Sequence, residues 1–445
     1  MILIKNGILV DPASDRAEHG DGMYRSDILI KDGRILRIAP DISEAQAGSY
    51  GEGSRDEELT VLDIEGLKVG PGLVDVHVHF RDPGFTYKED IETGSAAAAA
   101  GGYTSVVLMA NTKPVVDNPE TLSYVLEKAK KAPIRVYTCA SITEGLQGKK
   151  LVDMEGLMKL GAVGFTDDGI PLLSEELVRE AMQKAAGLHA VLSFHEEDPA
   201  YIENNGINAG EVAQHFGIGG SDAMAEISLI GRDAALALET DAIYDCQHIS
   251  TREGVDLIRS AKKKALETGR GRIHAEATPH HFSLTQEAVL AHGSLAKMNP
   301  PLRREEDRMA IIQGLADGTI DLIATDHAPH SAEEKAKPLT EAPSGIIGLE
   351  TAFSLAITNL VRPGHLSLKT LFDRMSMSPA AMYSLPCGRI AEGAAADLVI
   401  FDETKEVSYR EFASKSQNSP FIGEKLFGSV EYTICGGQIV YKKKG

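Results

Sequence analysis

The sequence predicts an α/β chain: a (β/α)₈ TIM-like barrel carried with a small β-sandwich domain built from the N- and C-terminal segments. Three observations predict it. The middle of the chain alternates short apolar runs with longer helical patterns, the signature of a closed parallel barrel. Both ends read instead as short alternating strands broken by turn signals. Five of the eight apolar runs in the middle end in His or Asp, on the side where such barrels keep their chemistry.

In order along the chain, Met1–Val10 and Ser26–Ile38 are strand-like, interrupted by the turn pairs Asn6-Gly7 and Asp32-Gly33. Polar Gly/Ser/Glu-rich loops lie between them and again near Ala45–Glu58. This is the first part of the small domain, residues 1–65. The barrel is expected over 66–385. Its eight runs are Leu73–His79, Ser105–Met109, Ile134–Ala140, Ala162–Thr166, Ala190–His195, Ala242–His248, Ile273–Thr278 and Asp321–Thr325. Helical segments such as Glu92–Ala100, Pro119–Lys131, Glu175–Ala186, Thr251–Thr268 and Glu305–Gly314 separate them. The alanine tract Ala96–Ala100 reads as a tightly packed helix stopped by Gly101-Gly102. Residues 386–445 return to the small domain, with strands at Asp397–Phe401 and Val430–Tyr441 and a hairpin turn at Gly436-Gly437.

Bulk properties narrow the function. The chain has 445 residues, 43% of them hydrophobic, and a net charge of -20. So acidic a chain is unsuited to nucleic acid or anionic lipid, yet a few converging basic residues still suffice for a small anion. Cys139, Cys246, Cys387 and Cys435 form no C-x-x-C pair and are expected to be reduced, mostly buried thiols. The start of the chain lacks a signal-peptide pattern, and no apolar stretch reaches the roughly 18 residues of a membrane span. A soluble, cytoplasmic protein is expected.

The strand ends carry the chemistry. His77 and His79 are two apart on a strand, so both face the barrel mouth and can share a cation. Asp168, His195, His248 and Asp326 close other strands. Four histidines and two carboxylates suit two zinc ions with one carboxylate bridging, and a water held there would ionise near neutral pH. Asp326, beside that water, can both ligate and transfer its proton to a leaving nitrogen. Arg81, just past the H-x-H pair, suits a substrate carboxylate, and Asn111 can add a hydrogen bond. Asn299 and His330 are polar candidates on loops. His280 and His281 read as supporting residues, and His19, His189, His215, His274, His292 and His365 as ordinary ones. Glu333-Glu334-Lys335 and Pro338 suggest a solvated lid between Ser331 and Gly345.

Taken together these motifs resemble the dihydroorotases of the amidohydrolase superfamily, in their bacterial class I form. The resemblance spans nearly the whole chain. It rests on Asp75–Gly84, Asn111–Pro114, Phe165–Gly169, Thr278–His281, Met298–Arg303, Ala324–His330 and Asn418–Gly423. It implies a zinc hydrolase acting on cyclic amides, which interconverts N-carbamoyl-L-aspartate and dihydroorotate in pyrimidine synthesis, with one or two zinc ions and two favoured. By position it implies His77 and His79 on the first metal, His195 and His248 on the second, Asp168 bridging, and Asp326 as ligand and proton shuttle. Arg81, Asn111, Asn299, His330 and the backbone of Ser344 and Gly345 match substrate contacts. A homodimer and an association with aspartate carbamoyltransferase are further implications. Two positions depart from the pattern: Ala110 replaces a frequent proline, and Glu196 a small or thiol residue. The rival readings are a hydantoinase or allantoinase, whose relatives bridge the metals with a modified lysine at the end of the fourth strand, and a non-catalytic scaffold homologue. Asp168 at that place disfavours the first, and six retained ligands disfavour the second.

Overall fold

The structure is a computed structural model that describes residues 1–15, 22–50 and 59–444; His19 and residues 51–58 of the expected polar loop lie outside them. The N-terminal segment contributes β1 (Ile2–Val10), β2 (Met23–Lys31), β3 (Arg34–Ala39), β4 (Thr60–Asp63) and β5 (Lys68–Pro71). The barrel strands follow as β6 (Leu73–Val78), β7 (Tyr103–Leu108), β8 (Arg135–Thr138), β9 (Gly164–Phe165), β10 (Val191–Phe194), β11 (Ile243–Cys246), β12 (Arg272–Ala277) and β13 (Leu322–Ile323). The C-terminal segment adds β14 (Leu398–Val407), β15 (Leu426–Cys435) and β16 (Gln438–Lys442).

Each of the eight expected apolar runs overlaps a barrel strand, β7 and β12 beginning slightly before their runs. β6–β8 and β9–β13 pair in parallel as two groups. Two seams close them into one barrel. Ala140 N–H donates to Gly164 O and Thr166 N–H to Ala140 O, at 3.0 and 2.9 Å, joining β8 to β9. His79 N–H donates to His327 O at 2.9 Å, joining β6 to the end of β13. Amphipathic helices cover the outside, for example Glu175–Leu188 and Arg252–Thr268, each opened by a side-chain cap from Ser174 or Thr251. The alanine tract lies in a helix over Ile91–Ala100 whose three central alanines are almost fully buried. That helix stops at Gly101, where a Cβ would sit 2.1 Å from Leu349 O, so only glycine allows the close approach.

The two chain ends meet in one mixed sheet of order β16-β15-β14-β5-β1-β2-β3, with β4 also beside β1. It wraps its own core of Ile2, Ile4, Leu9, Ile28, Leu398, Ile400 and Ile434. β15 and β16 form the expected hairpin, Cys435 opposite Gln438, and Gly436 and Gly437 both take positive φ (54° and 74°) as a two-residue turn of this kind requires. Two expectations shift. β5 pairs with β1 and β14, so the small sheet reaches past residue 65 to Pro71. The polar stretch after Ala45 begins as a short helix, Glu44–Ser49, because Ser43 and Gln46 form a capping box. The four cysteines are free, three of them buried. Among the described residues no helix is long and apolar enough to cross a membrane.

Candidate active site

The barrel mouth gathers the residues singled out from the strand ends. His77 stands on β6 and His79 just beyond it; Asp168, His195, His248 and Asp326 follow β9, β10, β11 and β13. All six are buried. His79 Nε2 lies 2.9 Å from Asp326 Oδ1 and 3.5 Å from Asp168 Oδ2. His77 Nε2 lies 3.4 Å from Asp168 Oδ1 and 3.6 Å from Asp326 Oδ1. His195 Nδ1 lies 3.0 Å from His248 Nε2 and 3.9 Å from Asp168 Oδ1. Two donor groups within metal-binding reach share His77: one with His79 and Asp326, the other with Asp168 and His248.

The donor chemistry fits a cation. His77 Nδ1 is held 2.9 Å from Glu276 Oε2, which fixes the proton on that nitrogen. In the neutral ring Nε2 is then a lone pair, buried with no hydrogen-bond partner among the described residues and facing two carboxylates that are acceptors too. Acceptors facing acceptors in a dry site are stabilised by a positive ion between them. Imidazoles and carboxylates together are the ligand types that suit zinc.

The charges respond accordingly. Burial depresses the His77 imidazole, but Glu276 and Asp168 more than reverse this and hold it well above its usual range, so the carboxylates favour a positive charge at Nε2, carried by a proton or by a cation. Burial raises Asp168, yet His77, His79 and His195 bring its carboxyl well below the usual range. Burial, followed by His195 and His77, pushes His248 well down.

Supporting residues orient these groups. Asn111 Oδ1 accepts from His79 Nδ1 at 3.0 Å, and Asn111 Nδ2 donates to Asp168 Oδ2 at 2.7 Å. The amide expected to face substrate is thus engaged with two of the metal-ligand candidates. Glu197 Oε2 lies 3.2 Å from His195 Nε2, while Glu197 Oε1 accepts from Ser221 Oγ at 3.2 Å. Glu196, the departure noted in the sequence, is buried and accepts from Tyr244 Oη at 2.6 Å. Its carboxyl is pushed well up by burial and by Asp233. His281 bridges Thr278 Oγ1 and Pro300 O at 2.8 and 3.0 Å, next to Asn299, which matches the supporting role expected of it. His327 turns away from the mouth: its Nδ1 accepts from Gly348 N–H at 3.1 Å, and its Nε2 lies 3.4 Å from Glu89. His189, His215, His274, His292 and His365 belong to neither donor group and do not line the cavity.

Glu276 and Glu197 were not singled out from the sequence. Glu276 did leave a signal, as a carboxylate at the centre of the apolar run Ile273–Thr278.

Above the cluster opens a cavity of about 270 Å³. The ligand candidates His79, Asp168, His195, His248 and Asp326 form its floor, and Arg81, Asn111, Asn299, His330, Ser344 and Gly345 also line it. Asn205, unmarked in the sequence, is a further lining residue. Arg81 donates Nε–H to Pro329 O at 3.3 Å, which leaves its two terminal amino groups for a ligand. Asn299 presents a buried Oδ1 with no partner among the described residues. His330 Nδ1 accepts from Lys88 Nζ at 3.3 Å, and burial, then Arg81, Lys88 and Lys335, hold the ring neutral, so its Nε2–H is a donor. Arg81, His248 and Asp326 all have left-handed backbone, at φ of 57°, 32° and 47°. Backbone strain of this kind concentrates at functional sites.

Comparison with known proteins agrees with this geometry. Residues 67–254 match the family model described as dihydro-orotase-like. The chain is 53% identical to a dihydroorotase of Clostridioides difficile over 99% of its own length and 100% of the relative's. The chain belongs to the dihydroorotase family. It is also 51% identical to a dihydroorotase of Clostridium acetobutylicum over the full length of both. Among solved structures, the L-hydantoinase of Arthrobacter aurescens superposes with a TM-score of 0.84 at 26% identity, covering 100% of this chain and 96% of that one. The dihydroorotase family and this likeness together make the chain a hydrolase of cyclic amides on an amidohydrolase barrel.

Proposed function

We propose that the chain is a zinc-dependent dihydroorotase that interconverts N-carbamoyl-L-aspartate and (S)-dihydroorotate plus water in pyrimidine synthesis. The observation that carries the metal half is the unpartnered Nε2 of His77 between Asp168 and Asp326. His77, His79 and Asp326 would hold one ion and His195 and His248 a second, with Asp168 between them; one donor group supports the first ion directly, and Asp168 and His248 of the other group, with His195 Nδ1 3.0 Å from His248 Nε2, support the second. Bound zinc supplies Lewis acidity toward an amide carbonyl and lowers the pKa of a hydrolytic water.

The remaining work falls to side chains. Asp326 accepts the proton of the attacking water and delivers it to the ring nitrogen as the C–N bond breaks; the reverse reaction returns it. The free amino groups of Arg81 pair with the substrate carboxylate in a fork. Asn299 Oδ1 accepts from a substrate N–H, His330 donates from Nε2, and the Ser344–Gly345 backbone closes the side of the cavity. These contacts hold the reacting carbonyl over the cluster. Asn111 acts mainly by holding His79 and Asp168, with its edge toward substrate.

The solved neighbour makes hydantoinase the second reading. Its relatives use a lysine at the end of the fourth strand, where this chain has Asp168. The nearest lysine, Lys159, is exposed in the helix Met154–Leu160 and paired with Glu155 at 2.5 Å. Turnover of dihydroorotate, hydantoin and allantoin, each with and without zinc, tests the proposal. Dihydroorotate should be strongly preferred and zinc-dependent, and a preference for either other substrate would overturn it.

A further inference from the structure

Behind the wall of the cavity lie two lysines with no carboxylate partner among the described residues. Lys297 and Lys335 are each only 5% exposed, in a stretch where the sequence suggested a solvated lid around Lys335. An ammonium buried without a counter-charge is disfavoured and needs a compensating role. Both are occupied by backbone carbonyls of one short segment. Lys297 Nζ donates to Leu339 O and Ala342 O, both at 2.8 Å. Lys335 Nζ donates to Pro343 O at 2.8 Å and Gly345 O at 3.1 Å. The same segment is tied again by Gly345 N–H to Lys297 O at 2.9 Å.

The far side of that segment is the cavity, lined by Ser344 and Gly345. The loop carrying Asn205 presses on it from the third direction. A Cβ on Gly206 would lie 2.4 Å from Ser344 Oγ and 2.8 Å from Lys297 Cγ, so the two loops touch with no slack. Positive groups gather here in an otherwise acidic chain: Arg81, Lys88 and Lys335 all act on His330, and Lys88 is also paired with Glu334 at 2.8 Å.

We propose that Lys335 and Lys297 are positioning residues, a two-lysine clamp that fixes the Ser344–Gly345 backbone as the wall of the substrate cavity. The identity of the substrate rests on the dihydroorotase reading; the clamp itself does not.

The test uses the full-length zinc-loaded enzyme and two variants, Lys335→Met and Lys297→Met. Amide hydrogen exchange without substrate reads the clamp directly. Amides in 339–347 should exchange at least tenfold faster in either variant, with the β6 and β12 amides unchanged. Steady-state kinetics on dihydroorotate should show KM raised about tenfold with kcat within about threefold, the pattern of lost binding rather than lost chemistry. A lower Tm with KM and exchange unchanged would overturn the proposal, and so would a collapse of kcat at constant KM. If Lys335→Met does not fold, Lys297→Met alone decides, through the 339–342 amides. Absence of dihydroorotate turnover in the unmodified enzyme would sink the substrate assignment, while the exchange comparison would still judge the clamp.

Discussion

Replacing Glu276 should weaken metal binding without touching a metal ligand. The carboxylate accepts from His77 Nδ1 at 2.9 Å, and both side chains are fully buried. Its neighbour Asp245 is held well above the usual carboxylate range by burial and by the charge of Glu276. Glu276→Gln preserves an acceptor and loses that charge; Glu276→Ala loses both. Removing the outer partner of a ligating histidine lowers metal affinity about 10–100-fold, which is about 1.4–2.7 kcal/mol. Gln belongs near the lower end and Ala near the upper. Because His77 is proposed to hold the first ion with His79 and Asp326, that ion should be weakened more than the second. Zinc titration against a chromophoric chelator, with zinc per chain from elemental analysis, measures the shift. A dissociation constant within twofold of the parent for both ions in Glu276→Ala would refute the role, and equal weakening of both ions would refute the placing of His77 on one of them.

Other substitutions separate the remaining roles. Asp326→Asn should lower kcat by at least about a hundredfold, the scale of a lost proton-transfer group; since Asn tolerates the left-handed backbone at φ 47°, Tm should stay close to the parent. Arg81→Ala should raise KM with kcat little changed, because it removes binding common to ground state and transition state; a fall in kcat alone would contradict the carboxylate role. Glu350 accepts from the Ala413 and Ser414 amides, yet burial pushes its pKa up to about 7. A raised carboxyl favours the fold below the unfolded pKa, and that stability is lost as pH rises toward the folded value, here between about 4.5 and 7. Glu350→Gln should therefore gain on the parent by roughly 2–3 kcal/mol between pH 5 and 8, read from denaturant midpoints, and a pH-independent difference would count against it.

The barrel was legible because its signal is periodic. Even β9 and β13, each two residues long, lay inside an apolar run closed by an aspartate. The cluster of ligand candidates was legible for a related reason: barrel topology sends every strand end to one place, so His195 and Asp326, far apart in sequence, needed no contact information to be linked. What escaped lay off those ends. Glu276 sits inside a strand, where a lone carboxylate carries no period. Lys335 follows Glu333-Glu334, and a charge run reads as solvent-facing until the carbonyls that hold it are seen. Asn111 was placed near substrate by position, but only geometry shows its amide on His79 and Asp168. β5 looked like barrel because its partners, β1 and β14, come from opposite ends of the chain.

The small sheet is more than a platform. Between β14 and β15 the chain leaves it and sends Asn418 into the barrel mouth, where this residue is almost fully buried. Asn418 Oδ1 accepts from His330 N–H at 3.1 Å, and its Nδ2 donates to Ala328 O and Gly345 O at 3.1 and 3.2 Å. One side chain from the C-terminal segment therefore fixes two walls of the cavity, the His330 loop and the Gly345 segment that the lysines grip from behind. The eight strands give the ligands a rigid floor, whereas the walls come from loops that the barrel alone does not order. A frame with the same fold as a hydantoinase can thus hold a different substrate by changing which residues tie those loops, leaving the strands beneath as they are.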